Sequence, residues 1–210
     1  VLKLARSAGG PPALEHIMRH SAPEELGFMA EELLEEAPFL ASHLYAHSVL
    51  CLLIRACPSQ PATTALVRSI LAGDIAGLCS HKRGCSVAMA ILSSGVQQHQ
   101  AQIVACLASQ VQRFARHRCS SALILRALCL DGCWGRDTLI SEFMHLPDRD
   151  IARLACHCFG VRIVQALLSL PMVSERIGAA LGKDLRRLRR DRYASNLLGD
   201  QRTSTPCVLR

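Results

Sequence analysis

The chain has 210 residues, of which 50% are hydrophobic and only 4% aromatic, and its formal net charge is +7. This length is enough for one large domain or one elongated array that buries its own core. A composition dominated by leucine and alanine is typical of packed helices and argues against a β-sandwich. The sequence therefore predicts an all-α protein.

Eleven cysteines lie mostly inside apolar helical runs such as RSILAGDIAGLCSH and QIVACLASQ. This placement favours buried thiols over disulfides and a reducing compartment. The sequence predicts no signal peptide, and its longest apolar run, SVLCLLI, is far shorter than the roughly 20 residues that span a bilayer. We expect a cytoplasmic or nuclear, including nucleolar, protein that does not enter a membrane.

Five segments share one pattern: a histidine or aspartate, a small residue three positions later, and then an aliphatic run. In chain order they are HLYAHSVLCLLI from 43, HKRGCSVAMAIL from 81, HRCSSALILRAL from 117, HCFGVRIVQALL from 157 and DRYASNLLGD from 191. Their small residues are Ala46, Gly84, Ser120, Gly160 and Ala194, at successive spacings of 38, 36, 40 and 34. A recurring period near 36 residues indicates a repeat protein.

An amphipathic segment precedes each of these runs. In chain order these segments are MAEELLEEAPFLAS, TTALVRSILAGDIAGLCS, AQIVACLASQVQRFAR, DTLISEFMHLPDRDIARLAC and SERIGAALGKDLRRLRR. Each unit is therefore predicted to be two helices with a tight corner at the small residue. Such pairs stack into a solenoid, because one pair alone cannot bury both of its faces. The leading histidine is predicted to cap the corner through backbone hydrogen bonds and not to be a ligand.

The runs FGVRIVQALL and YASNLL, together with the period, resemble the Pumilio (PUF) repeat. The resemblance implies a right-handed α-solenoid, a superhelix of stacked Pumilio-like repeats. Residues 24–200 would be about five repeats, residues 1–23 a partial preceding repeat and linker, and residues 201–210 a tail. The resemblance also implies that the second helix of each repeat lines a concave basic surface. Three side chains per repeat would meet one base of single-stranded RNA there, two at the base edge and one stacking.

In the fourth unit the resemblance assigns Val161 and Gln165 to the base edge and Arg162 to stacking. Gln165 can both donate and accept hydrogen bonds, and the Arg162 guanidinium is a planar cation suited to stacking. The matching positions in units five, three, two and one are Ser195, Asn196 and Gly199; Ser121, Ala122 and Leu125; Cys85, Ser86 and Met89; and His47, Ser48 and Cys51. These four sets differ from familiar base-reading sets, so we expect little sequence preference.

Positive charge is concentrated in the second half of the chain. Residues 1–105 hold 7 Lys/Arg and 8 Asp/Glu, whereas residues 106–210 hold 17 and 9. The acidic residues cluster at Glu24, Glu25, Glu31, Glu32, Glu35 and Glu36, and the basic ones at Lys183, Arg186, Arg187, Arg189, Arg190 and Arg192. Such a basic block is typical of polyanion binding, and a solvated helix face is the competing interpretation. Phosphate contacts are also expected from Arg118, Arg126, Arg153, Arg162, Arg187 and Arg190.

Enzyme and metal sites are not favoured by the spacing of the reactive residues. The His and Cys groupings are His16 with His20, Cys129 with Cys133, and Cys156, His157 and Cys158. None has the spacing of a zinc protease or a zinc finger, and neither GxSxG nor a phosphate-binding glycine loop occurs. Cys119, beside Arg118, is the one mild candidate for a reactive thiol. We predict no catalysis, no metal and no cofactor.

These observations predict a monomeric RNA-binding repeat protein that takes single-stranded RNA, mRNA or pre-rRNA, in post-transcriptional regulation or RNA processing. Additional protein partners are expected on the convex face. The alternative is an armadillo- or HEAT-like scaffold that binds protein along its concave face without nucleic acid. A basic groove at the assigned positions favours RNA, whereas an apolar or acidic groove favours protein.

Overall fold

The computed structural model describes residues 1–199, without the side chains of Leu198 and Gly199. The predicted tail at 201–210 lies outside the described residues. All regular structure in the described range is helical, with one 3-10 turn at Pro23–Leu26. The α-helices are α1 Leu2–Arg6, α2 Gly10–His20, α3 Gly27–Leu33, α4 Ala37–Leu40, α5 Ala46–Ala56, α6 Pro61–Leu71, α7 Ile75–Ser80, α8 Gly84–Ser93, α9 Gln97–Ser109, α10 Val111–Ala115, α11 Ser120–Cys129, α12 Arg136–Met144, α13 Asp148–Ala155, α14 Gly160–Leu168, α15 Pro171–Gly182, α16 Leu185–Arg190 and α17 Ala194–Gly199.

The described chain forms two compact units: residues 1–106 with 130–135, and residues 107–129 with those from 136 on. Each of these two compact units contains helix pairs joined by a corner. We call each helix pair a module, and "unit one" to "unit five" continue to denote the five predicted repeats. The first unit holds the pairs α1–α2, α4–α5 and α7–α8, and its α2, α5 and α8 pack side by side. The second unit holds α10–α11, α13–α14 and α16–α17, and its α14 packs on both α11 and α17. The predicted stacking of helix pairs is present in each unit.

The predicted corner lies at the small residue of each module. All five small residues are the first residue of the second helix of their pair: Ala46, Gly84, Ser120, Gly160 and Ala194. The two helices approach closely there, because a Cβ added to Gly84 would lie 2.6 Å from the carbonyl oxygen of Leu78, and one added to Gly160 would lie 2.5 Å from that of Leu154. In the module α13–α14 the chain bends by 115° at this corner. A larger side chain would separate the two helices.

A sixth corner lies at Gly10, 36 residues before Ala46. Gly10 begins α2, and an added Cβ would meet the carbonyl group of Leu4, as at the two later glycine corners. The first twenty residues therefore contain a helix pair of the same kind as the others. The sequence pattern did not reveal this pair, because Ser7 stands in place of the leading histidine and the helix starts Gly-Pro-Pro.

The leading side chain caps the second helix in five modules. The Nδ1 atoms of His43, His81 and His117 each accept hydrogen bonds from the backbone N–H groups two and three residues later, at 3.3 to 3.5 Å. His157 Nδ1 accepts from Phe159 N at 3.3 Å. Asp191 Oδ1 accepts from Tyr193 N at 2.8 Å and Ala194 N at 3.0 Å. The predicted capping role is confirmed, and it requires each of these histidines to be deprotonated at Nδ1.

Stability is expected to fall between about pH 7.5 and about pH 5.5, because a protonated His157 cannot accept the hydrogen bond from Phe159 N. Burial, together with the charge of Arg116, lowers the pKa of His157. A group with a lowered folded pKa stabilises the fold above its unfolded pKa of about 6.5 and loses that contribution as the pH falls below it.

Replacing His157 by asparagine keeps an oxygen acceptor that does not titrate, so the variant should lose less stability over this range than the natural chain. Urea unfolding followed by circular dichroism at both pH values measures the difference. Equal losses in the two proteins would contradict a titrating cap at this corner.

The spacing of 40 residues between Ser120 and Gly160 contains an additional loop, residues 130–135. This loop packs with the first unit, where Trp134 N donates to Gln100 Oε1 at 3.1 Å. Gly135 has a φ of +86° and lies against the side chain of Val104. A Cβ added to Gly135 would lie 3.1 Å from Val104 Cγ1. The longer spacing is therefore an ordered insertion and not a break in the repeat.

None of the ten cysteines within the described residues forms a disulfide, as the sequence predicts. In the same part of the chain, no single helix has the length and apolar character needed to cross a bilayer. The bent pair α13–α14 meets those criteria only when its two helices are counted together.

Candidate nucleic-acid interface

The side of α14 that faces away from the core carries the fourth predicted set. Ile163, Val164 and Leu167 point into the core and are at most 1% exposed. The helical period therefore turns Arg162 and Gln165 outward, and both are exposed, while Val161 is half-buried between the two faces. Among residues 1–199, neither the Arg162 guanidinium nor the Gln165 amide is engaged in a side-chain hydrogen bond or ion pair. Both polar groups are therefore available to a ligand.

A cavity of about 220 Å³ lies between α14 and the start of α17. Its lining residues are Val161, Arg162, Gln165, Tyr193, Asn196 and Leu197. The structure thus brings all three predicted residues of unit four and one of unit five into one depression. Its wall contains a cation, an amide on each side and an aromatic ring, which are the groups that stack on and hydrogen-bond to a flat polar ligand.

Tyr193 is a lining residue that the sequence reasoning missed. It is 38% exposed, and the guanidinium of Arg192 lies over its ring at 5.8 Å. The available signal was the aromatic residue directly before the corner residue Ala194, a position that Phe159 and Tyr45 occupy in two other modules. In the sequence pattern of the repeat this position is only the residue that leads to the corner, so its side chain was not assigned to the site.

Unit five contributes less than unit four. Asn196 is exposed and lines the cavity. Ser195 is half-buried, and its hydroxyl donates to the backbone oxygen of Arg192 at 3.4 Å. Gly199 is the last residue of α17, and its surroundings lie outside the description. Asn196 is therefore the main polar group that this module offers.

In unit three the structure separates the predicted residues by burial. Ala122 is exposed and Leu125 half-buried. Ser121 is only 4% exposed, and its hydroxyl donates to the backbone oxygen of Arg118 at 3.3 Å. A hydroxyl in this position cannot reach a base edge unless the helix moves. We therefore do not expect Ser121 to contact a base.

Units one and two show the same separation. In unit two Ser86 is exposed, while Cys85 and Met89 are half-buried. In unit one Ser48 donates to the backbone oxygen of Tyr45 at 2.8 Å, and His47 Nδ1 lies 3.0 Å from the backbone oxygen of His43.

Cys51 is 7% exposed, and burial raises the pKa of its thiol to about 11. It therefore remains a neutral thiol in the core and, like Ser121, is not expected to contact a base.

One rule emerges across the modules. The position two after the corner is exposed in four modules and half-buried in one: Ser48, Ser86, Ala122, Arg162 and Asn196. The position one after the corner is half-buried or buried. In the sixth module, α1–α2, the equivalent positions are Pro11, Pro12 and Glu15, and Glu15 pairs with Arg19. Planar or hydrogen-bonding groups at these positions are thus concentrated in the second compact unit.

The second compact unit carries exposed basic residues on several of its helices. Arg118, Arg153, Arg162, Arg187 and Arg190 are exposed, and Arg126 is half-buried. Arg153 is partly neutralised by Asp150, 3.2 Å away. Within residues 1–199 no group of three or more His, Cys, Asp or Glu side chains is arranged to hold a metal ion. The surface therefore favours an anionic ligand bound by charge and stacking.

Comparison with known proteins gives similarity of fold and little similarity of sequence. No family model matches the chain, and no curated protein matches it in sequence. The structure of PUF-8 in complex with PBE-RNA superposes with a TM-score of 0.81 at 14% identity, covering 93% of this chain and 57% of that one. The Puf3 RNA binding domain bound to Cox17 RNA gives 0.81 at 19% identity, covering 93% and 54%. The PUM-HD domain of S. pombe Puf1 in complex with RNA gives 0.74 at 17%, covering 95% and 54%.

The chain spans just over half the length of these three structures. Over nearly all of its own length it has their fold, and the predicted all-α solenoid of Pumilio-like repeats is confirmed at the level of the fold. The armadillo- or HEAT-like alternative concerns the ligand that the surface binds and not the fold.

Proposed function

We propose that this Pumilio-fold chain binds single-stranded RNA, without catalysis, through the outward side of its second helices. The observation that carries the proposal is the cavity between α14 and α17, which joins Arg162, Gln165, Tyr193 and Asn196. The similar structures named above were solved with RNA bound, which supports the same class of ligand. The proposed role is post-transcriptional regulation or RNA processing of mRNA or pre-rRNA, by a monomer in the cytoplasm or nucleus, including the nucleolus.

One unpaired base would occupy this cavity. The Arg162 guanidinium stacks on one face of the base, because it is planar, charged and weakly hydrated. Gln165 donates to and accepts from the base edge, while the aliphatic Val161 offers that edge no hydrogen bond. Tyr193 and Asn196 close the side formed by α17. A site with one hydrogen-bonding edge residue discriminates between bases less strongly than a site with two.

The remaining modules would hold RNA mainly by its backbone. Cys51 and Ser121 are buried, and Ser48 bonds to its own helix, so the first three predicted units present few free groups to a base. Phosphate neutralisation by the exposed arginines needs no base contact and is independent of sequence. The proposal is therefore an RNA binder with weak sequence preference and a single better-formed base site.

Binding is expected to weaken steeply with salt. If about six phosphates are neutralised, the slope of log affinity against log salt is near −4 for a single strand, which is a loss of about 2.5 orders of magnitude in affinity between ~50 and ~200 mM salt. Fluorescence anisotropy with a labelled unstructured RNA measures it. A slope near zero would remove the phosphate contacts from the proposal.

Selection of bound sequences from a random RNA pool tests the function as a whole. Enrichment of RNA with one or two preferred positions is expected, because one module has a formed base site. Strong enrichment of a long motif would show a fuller code than the side chains predict. An unenriched pool, together with no RNA binding at low salt, would leave the protein-binding scaffold as the function.

A further inference from the structure

Helix α16 carries four arginines on one short helix of the second unit. Leu188 is its buried anchor, at 1% exposure, and every arginine of the helix is exposed: Arg186, Arg187, Arg189 and Arg190. Clustered like charges on adjacent turns repel one another and weaken an isolated helix. Packing of Leu188 offsets that repulsion, but it does not explain why the other positions are basic.

Helical geometry places this charge on a different side of the module from the base cavity. Residues two before and two after Leu188 lie about 160° from it around the helix axis, so Arg186 and Arg190 point directly away from the core. The base cavity is instead formed by α14 and α17. Arg187 is turned toward the corner, where the backbone N–H of Ala194 is the main cause that lowers the pKa of Asp191 and the charge of Arg187 is a smaller one. Within residues 1–199, the guanidinium groups of Arg186, Arg189 and Arg190 make no hydrogen bond or ion pair.

The positive surface continues onto the neighbouring helix α15. Asp148, at the start of α13, is paired with both Arg176 Nη1 and Lys183 Nζ at 2.6 Å, and these two cations lower the pKa of its carboxyl group. Two cations against one carboxylate leave an excess of positive charge at Asp148, and Lys183 of this cluster is separated from α16 only by Asp184. We call Lys183, Arg186, Arg189 and Arg190 the outer basic surface.

We propose that the outer basic surface binds the phosphate backbone of double-helical RNA, next to a single strand held on the second helices. The proposal builds on the proposed RNA-binding function and adds a second contact of different chemistry. Single strands are held by stacking platforms, and neither α15 nor α16 contains an aromatic residue. Helical RNA is recognised by shape and by its phosphates, which exposed arginines and a lysine can contact without reading bases.

The test compares three variants on two probes, a blunt RNA duplex of about 20 base pairs and an unstructured single strand of equal length. The variant R186Q/R189Q/R190Q should bind the duplex at least about tenfold more weakly, with a salt slope shallower by about three. The control R19Q/R55Q/R68Q removes the same charge from exposed arginines of the first unit and should leave duplex affinity within about twofold. The variant R162A/Q165A should weaken single-strand binding and leave duplex binding unchanged.

Each contrary result has a separate meaning. Equal loss of duplex affinity in both arginine triples would overturn the proposal, because net charge alone would then account for binding. Failure of the natural chain to bind the duplex at low salt would also overturn it, while leaving the single-strand function intact. Duplex binding without single-strand binding would instead reject the proposed function and retain the outer basic surface. Circular dichroism confirms that the exposed substitutions leave the helices folded.

Discussion

Replacing both Arg162 and Gln165 by alanine is expected to lower the affinity for single-stranded RNA by roughly 10- to 1000-fold. The lost stacking contributes about 1–3 kcal/mol and the lost edge hydrogen bond about 0.5–1.5 kcal/mol, and each 1.4 kcal/mol is a tenfold change. Both side chains are exposed on α14, so the substitution leaves the core residues Ile163, Val164 and Leu167 untouched. Helicity and unfolding midpoint should therefore stay unchanged.

A matched control lies at the start of α10, in the same compact unit. Arg113 Nη1 donates to Gln110 Oε1 at 2.9 Å, and both residues are exposed outside the cavity. The variant R113A/Q110A removes the same residue types and the same charge, so it should lose only the small electrostatic part of the affinity. Filter binding or anisotropy at fixed salt compares the two variants. Equal affinities in the variants would mean that unit four has no base site.

The corners were predictable from the sequence because their physical requirement is local. The approach of Leu154 to Gly160, and of Leu78 to Gly84, leaves no room for a large side chain at the start of the second helix. A small residue must therefore recur wherever a module turns, and its spacing gives the period directly. The leading histidine is equally local, because its cap reaches only two or three residues along the chain.

The accessibility of the assigned side chains was less predictable. Spacing from the corner gives the direction of a side chain from its helix, but burial also depends on the neighbouring helix. Cys51 on α5 is covered, whereas Gln165 in the same position on α14 is exposed. Tyr193 was missed for a related reason, since it reaches the cavity from the turn before α17 and not from the helix face. Both outcomes depend on packing between modules, which a period does not encode.

Replacing Gly160 by alanine is expected to destabilise the chain by about 1–3 kcal/mol, because the new methyl group would overpack the corner. Its Cβ would stand 2.5 Å from the carbonyl oxygen of Leu154 and 3.2 Å from the Leu154 Cα, both of which are backbone atoms that cannot rotate away. Modules with alanine at this position, such as that of Ala46, are built with that methyl group in place. Here α13 and α14 would have to separate to admit it.

The same substitution at Gly178 provides the control, with the opposite sign. Gly178 lies inside α15, and a Cβ there would meet nothing within 4 Å. Alanine at such a helical position should stabilise the chain by about 0.5–1 kcal/mol, since it restricts the unfolded chain without a clash. Urea unfolding followed by circular dichroism measures both changes. If both variants were stabilised, the close contact between Gly160 and Leu154 would not exist in solution. If alanine at Gly160 destabilises the chain while alanine at Gly178 stabilises it, the small residue that defines the repeat is required by the contact between the two helices of its module.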